Sequence, residues 1–162
     1  MPYRSTLIYS TCFLRRSRPE VGRLYARVGA LCSKPDCHLE DPQVSRYEPG
    51  QYYRAHYDGP DTDEPDARMF LACGGQRLAT LLVYLNDVRD GGETRFPLLG
   101  PLDVRPRRGR ALLFLPGAVE GGIDRRLLHE ALPAIDVKWV AQVWVRHGED
   151  LYQAFMNTPE SR

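Results

Sequence analysis

From residue 43 to residue 146 the chain is a succession of short runs rich in β-branched and aromatic residues, each cut off by Gly or Pro. "QVSRY", "QYYRAHYD", "RLATLLVYLND", "GGETRFP", "LDVRP", "RGRALLFLP" and "KWVAQVWVR" follow one another. Between them lie "EPG", a long acidic loop reaching Gly75, and a Gly-rich loop after Pro116. Most of these runs are too short for amphipathic helices, and their spacing reads as the strands of an all-β sandwich or barrel. A jelly roll fits best. An immunoglobulin-like sandwich would need a Cys and Trp placement that this sequence lacks.

Strand periodicity gives the faces. In "KWVAQVWVR", Lys138, Val140, Gln142 and Trp144 share one side, and Trp139, Ala141, Val143 and Val145 the other. In "RLATLLVYLND", Leu78, Thr80, Leu82 and Tyr84 share a side. Both strands are apolar on both sides, so both sides should be covered. One cover is predicted upstream. Ser17 and Glu20 read as a capping box with Pro19 in the first turn, and Val21, Leu24, Tyr25, Val28 and Leu31 recur at helical spacing. The expectation is one domain over residues 1–162. A strand and supporting helix occupy 1–42, a mainly β jelly-roll core 43–148, and a tail 149–162.

The formal net charge of +1 gives no reason to expect nucleic acid or an anionic membrane as partner. No apolar run approaches the length of a membrane span. "MPYRSTLIYSTCFLRRSRPE" makes a poor secretory signal, because its apolar part is short and its arginines follow it. Four cysteines (Cys12, Cys32, Cys37, Cys73) allow two disulfides or none, so the compartment stays open between endoplasmic reticulum and cytoplasm.

His56 and Asp58 are two residues apart, and on a strand they would point to one side. With a second imidazole they would make the 2-His-1-carboxylate triad of non-haem Fe(II) oxygenases, which leaves positions open for cosubstrate and O2. His38, His129 and His147 could each supply it; His129, after the Gly-rich loop and beside Leu127 and Leu128, is best placed. An HxD pair alone is weak, and a lone His near apolar residues is more often core or surface than ligand. Lys138 lies nine residues after His129. It either snorkels at a strand end or is buried, and a buried ammonium needs an anionic partner. No acidic residue presents itself as that partner. A dicarboxylate chelating the metal could fill the role, with Tyr84 and Thr80 as neutral donors. The alternative zinc cluster of Cys32, Cys37 and His38 is poorly spaced.

The ordered stretches "RYEPGQYYRAHYD", "RLATLLVYLNDVRDGGETRFP", "PRRGRALLFLP" and "LLHEALPAIDVKWVAQVWVR" resemble the prolyl 4-hydroxylase branch of the 2-oxoglutarate and Fe(II)-dependent dioxygenases over residues 40–148. The resemblance implies a double-stranded β-helix fold. It implies His56, Asp58 and His129 as Fe(II) ligands and Lys138 on the distal carboxylate of 2-oxoglutarate. Tyr84 would join Lys138 there. Tyr47 and Tyr53 would line the cosubstrate or substrate side, and Trp144 the pocket floor. Tyr53 has the wrong parity relative to His56, so it could face the site only across a bulge or twist. Gln142 stands where relatives carry a small hydroxyl residue. The implied reaction consumes 2-oxoglutarate and O2, releases succinate and CO2, and hydroxylates peptidyl proline, with ascorbate as reductant. The same chemistry on a lysyl, small-molecule or nucleobase substrate, or a silent jelly-roll binding module, is the alternative. The loop from Gly59 to Gly75 and the loop "PGAVEGGIDRR" flank the implied ligands and are candidate lids.

Overall fold

The β-rich runs gather into two antiparallel sheets. In the computed structural model, which describes residues 9–100 and 102–151, the order is β1 (Ser10–Phe13), α1 (Pro19–Cys32), β2 (Gln43–Tyr47), β3 (Tyr53–His56), α2 (Ala67–Ala72), β4 (Arg77–Tyr84), β5 (Thr94–Phe96), β6 (Leu102–Val104), β7 (Ala111–Phe114), β8 (His129–Ala131) and β9 (Lys138–Arg146). The larger sheet runs β1-β2-β9-β4-β7 and the smaller β3-β8-β5-β6. This two-sheet, mainly β architecture is the expected jelly roll. Residues 1–8 of the expected N-terminal strand and helix region and the tail from residue 152 lie outside the described residues.

Both faces of the larger sheet are covered, as its doubly apolar strands require. On the outside, Val21, Tyr25 and Val28 of α1 pack with Leu39 on Ala79, Leu81, Val143 and Val145. On the inside, Tyr47, Leu82, Tyr84 and Val140 form a second cluster, closed by Tyr53, Val104, Leu112 and Ala131. Burial of each such aliphatic or aromatic side chain contributes about 1.5–3 kcal/mol. β4 and β9 pair from Arg77↔Arg146 to Tyr84↔Val140 and form the spine between the two clusters.

Two local expectations change. The helix does not use a Ser17–Glu20 capping box: its N-cap is Arg18, extended and without a side-chain cap. Pro19 is the cause, since the residue before a proline is pushed out of the α region and cannot be helical. Leu31, placed on the apolar stripe, is 63% exposed at the far end of α1. The segment from Gly59 to Gly75 is not all loop, because α2 forms within it. All four cysteines are free thiols. Among the described residues no helix is long and apolar enough to cross a membrane.

Candidate active site

β3 and β8 pair with His56 directly opposite His129. The two imidazoles therefore meet across the ladder, with ring centroids 4.3 Å apart. Asp58 lies just beyond the end of β3 rather than on the strand, and the turn there brings its carboxylate beneath both rings. Oδ1 is 3.8 Å from His56 Nε2 and 3.6 Å from His129 Nε2. One ligand atom from each of the three residues falls within 4.8 Å of the others, and among the described residues no other such group of His, Cys, Asp and Glu occurs.

The donors are oriented for a cation. His56 Nδ1 is 2.8 Å from the carbonyl of Arg54, and His129 Nδ1 is 3.0 Å from that of Leu127. A carbonyl can only accept, so each Nδ1 carries a proton and each Nε2 is the ring atom left facing Asp58. Burial lowers the His56 pKa to about 4, helped by His129 beside it and opposed by Asp58, so the ring is neutral at pH 7. Thr80 Oγ1 donates to Asp58 Oδ2 at 2.5 Å, which leaves Oδ1 facing the imidazoles. Two imidazoles and a carboxylate, all pre-aimed, suit a divalent transition metal with open positions.

Lys138 is fully buried, not snorkelling. Nζ donates to the Gly92 carbonyl at 3.0 Å and sits 4.4 Å from the Tyr47 ring centroid. Burial lowers its pKa to about 8, with Glu93 pulling the other way. Glu93 is thus the acidic neighbour that the sequence reading missed, although "GGET" carried it in plain view. Tyr84 donates its single proton to Thr94 Oγ1 (2.7 Å) or to the Val104 carbonyl (3.0 Å), and meets a ligand carboxylate only by giving these up. Thr80 corrects the expectation. Its one hydroxyl proton is spent on Asp58, so it supplies none to a carboxylate near Lys138.

A bulge between Tyr53 and His56 answers the parity problem: Tyr53 pairs with Ala131 while His56 pairs with His129, so β3 carries one extra residue. Tyr53 thereby turns inward, its ring 4.0 Å from that of His56. Tyr9 stacks on Tyr47 at 4.7 Å and leans on Tyr53 at 5.2 Å. A cavity of about 410 Å³ opens beside His56 and Asp58, walled by Tyr9, Tyr53, Tyr57, Phe70 and Trp144. Trp144 and Gln142 line it; His129, Lys138, Tyr84 and Thr80 do not. Gln142 donates to Gln43 Oε1 at 3.3 Å, and Trp144 Nε1 is buried with no hydrogen-bond partner among the described residues.

Arg77, also missed, is the hub under this cavity. It grips Glu40 with two nitrogens (2.7 and 2.6 Å), donates to the Asp58 carbonyl at 2.6 Å, and lies 3.9 Å above the Trp144 ring. Burial disfavours its charge, but Glu40 more than restores it, and its pKa is raised. Arg146 reaches the same Glu40 at 2.9 Å. Arginines at strand ends look solvated in sequence, so nothing marked these two.

The metal-suited triad in the mouth of a jelly roll is the signature of an oxygenase class, and residues 42–146 match the model of the 2OG-Fe(II) oxygenase superfamily. The chain belongs to that superfamily, whose cofactors are Fe(II) and 2-oxoglutarate. Within it, the chain is 36% identical over 160 residues to probable prolyl 4-hydroxylase 3 of Arabidopsis thaliana, covering 86% of this chain and 54% of that one. It is 36% identical over 128 residues to human prolyl 4-hydroxylase subunit alpha-1, covering 78% of this chain and 24% of that one. The viral collagen prolyl hydroxylase of Paramecium bursaria Chlorella virus-1, solved as a 2OG complex, superposes with a TM-score of 0.73 at 33% identity, over 88% of this chain and 82% of that one. The chain spans about half the length of the plant relatives it matches.

Proposed function

We propose that the chain hydroxylates peptidyl proline as an Fe(II)- and 2-oxoglutarate-dependent dioxygenase, with residues 43–148 as its catalytic core. In this reading His56, Asp58 and His129 hold Fe(II), and Lys138, seconded by Tyr84 and backed by Tyr47, takes the distal carboxylate of 2-oxoglutarate. The observation that carries it is the two Nε2 atoms each lying within 4 Å of Asp58 Oδ1, with every opposite atom tied down. The bound metal and cosubstrate would supply the oxidising chemistry, with O2 consumed, succinate and CO2 released, and ascorbate as the reductant typical of the family.

The chain's own residues do the positioning. The two carbonyl–Nδ1 bonds fix tautomer and ring angle, and Thr80 fixes the carboxylate. Lys138 offers a desolvated positive charge that a carboxylate would satisfy. The aromatic walls beside the triad (Tyr9, Tyr53, Tyr57, Phe70, Trp144) suit an extended proline-rich segment, which docks on such surfaces at low entropic cost. The relatives named as prolyl hydroxylases support the proline reading.

The test is an anaerobic titration of the chain with Fe(II) and 2-oxoglutarate, followed by their visible charge-transfer band, then admission of O2 with proline-rich peptides and assay of succinate and hydroxyproline. A band in the wild type that disappears in His129→Ala is expected. No band, or one indifferent to that substitution, would sink the metal site; succinate without hydroxyproline would remove the proline substrate and leave the reaction class.

A further inference from the structure

Gln76, immediately before β4, is a polar side chain only 1% exposed, and nothing in the proposed chemistry uses it. Its carboxamide is fully committed. Nε2 donates to the Pro60 carbonyl at 2.9 Å and to the Gly121 carbonyl at 2.7 Å, while Oε1 accepts from the Arg77 backbone N–H at 3.0 Å. Those two carbonyls belong to different loops. Pro60 lies two residues after Asp58. Gly121 lies eight residues before His129.

Two glycines make room for this side chain. A Cβ on Gly59 would stand 2.0 Å from Gln76 Oε1, and one on Gly117 would stand 2.3 Å from Gln76 Cγ. Neither position can carry a side chain while Gln76 keeps its place. The glycine that follows Asp58 and the glycine that opens the second loop are therefore sockets for one amide.

Other ties cross the same seam. Arg125 forms an ion pair with Asp61, and the Tyr57 hydroxyl donates to the Arg125 carbonyl at 3.3 Å. Arg125 opens the one-turn 3-10 helix Arg125–Leu127, whose last residue, Leu127, accepts from His129 Nδ1. The second loop is also closed on itself by an isolated bridge between Gly117 and Ile123. The segment leaving Asp58 and the segment arriving at His129 are thus joined by Gln76 and by the Arg125–Asp61 pair, with Tyr57, just ahead of Asp58, adding a third tie; of these only the Gln76 tie reaches the buried interior.

We infer that Gln76 is a positioning residue: its amide joins the loop after Asp58 to the loop before His129, so that the two segments move as one flap and hold the two side chains in register. The candidate lids are then one lid. Its bearing on metal binding rests on the proposed triad, whereas the joining of the loops does not.

The experiment is hydrogen–deuterium exchange on the full chain, with peptides covering residues 59–66, 117–128, β4 and β9. Gln76→Met keeps length and removes both donors, together with the acceptor of the Arg77 N–H at the start of β4. It should raise exchange roughly tenfold in both loops together, the scale of two neutral hydrogen bonds, while β9 and β4 beyond Arg77 stay protected. Arg125→Gln, an exposed change that leaves the core intact, should raise exchange in both loops to a smaller degree. A rise confined to one loop in either variant, or one spread equally over β4 and β9, would overturn the inference. Anaerobic Fe(II) titration supplies the second readout: Gln76→Met should weaken Fe(II) half-saturation about tenfold and leave that for 2-oxoglutarate within threefold. If the wild type gives no Fe(II) band, the triad reading fails, and the exchange result still decides whether the loops are joined.

Discussion

Replacing Thr80 by Val removes one hydrogen bond and almost no volume. The bond is 2.5 Å from Thr80 Oγ1 to Asp58 Oδ2, between a fully buried hydroxyl and a carboxylate 5% exposed. A hydrogen bond to a charged group contributes about 1.5–3 kcal/mol, and leaving the oxygen buried without it costs on that same scale. At 1.36 kcal/mol per decade, this is a loss of about 10- to 100-fold in metal affinity, the range found for outer-shell partners of metal ligands. The assay is anaerobic Fe(II) titration at saturating 2-oxoglutarate, repeated as a 2-oxoglutarate titration at saturating Fe(II). Thr80→Val should weaken the first and spare the second, and Thr80→Ser, which keeps the hydroxyl, should restore it. If Fe(II) affinity is unchanged and 2-oxoglutarate binding falls instead, Thr80 serves the cosubstrate and the assignment to Asp58 is wrong.

Lys138 gives a pH signature: with a pKa of about 8 before ligand binds, it is nine-tenths neutral at pH 9, so apparent 2-oxoglutarate affinity should fall about tenfold from pH 7 to 9. Titration of the Fe(II) complex at three pH values checks this, and a flat profile would refute it. The same depressed pKa means that the unfolded chain binds more protons between pH 8 and 10.5, so this group makes stability rise with pH in that window. Glu40→Gln should leave Arg77 and Arg146 short of their shared counter-charge and lower stability by about 3 kcal/mol, read from denaturant midpoints; a change under about 1 kcal/mol would show that Asp150, 3.5 Å from Arg146, suffices alone.

The parts of this molecule that the sequence makes legible are those governed by periodicity. Alternation along "RLATLLVYLND" and "KWVAQVWVR" shows two covered faces, and it places Lys138 inward with Val140, where its burial points to a ligand carboxylate. The parts that stay hidden depend on a single turn or a single extra residue. Asp58 reaches the imidazoles from beyond the strand end, not by strand parity. Pro19 displaces a capping box that the letters spell correctly. Thr80 lies on the expected face, yet which acceptor takes its proton is settled by Asp58 coming in from another element. Gln76 and Arg77 read as the polar start of a strand, and only tertiary packing shows that Gln76 is buried and Arg77 half-buried against Glu40 and Trp144.

The extra residue in β3 has a consequence for how this family can drift. Arg54 and Ala55, the two residues inside the bulge, are both exposed. Loss of a single codon at either place would straighten the ladder to two steps on each strand, matching Ala131 and His129 opposite, and Tyr53 would still share a side with His56. The distance in letters between that tyrosine and the histidine can therefore shorten by one with both rings on one side of the strand, but the carbonyl two residues before His56 would then belong to Tyr53 in place of Arg54. An Ala55 deletion variant that keeps its Fe(II) band would show that the bulge is dispensable; loss of the band would show that the Arg54 carbonyl is needed.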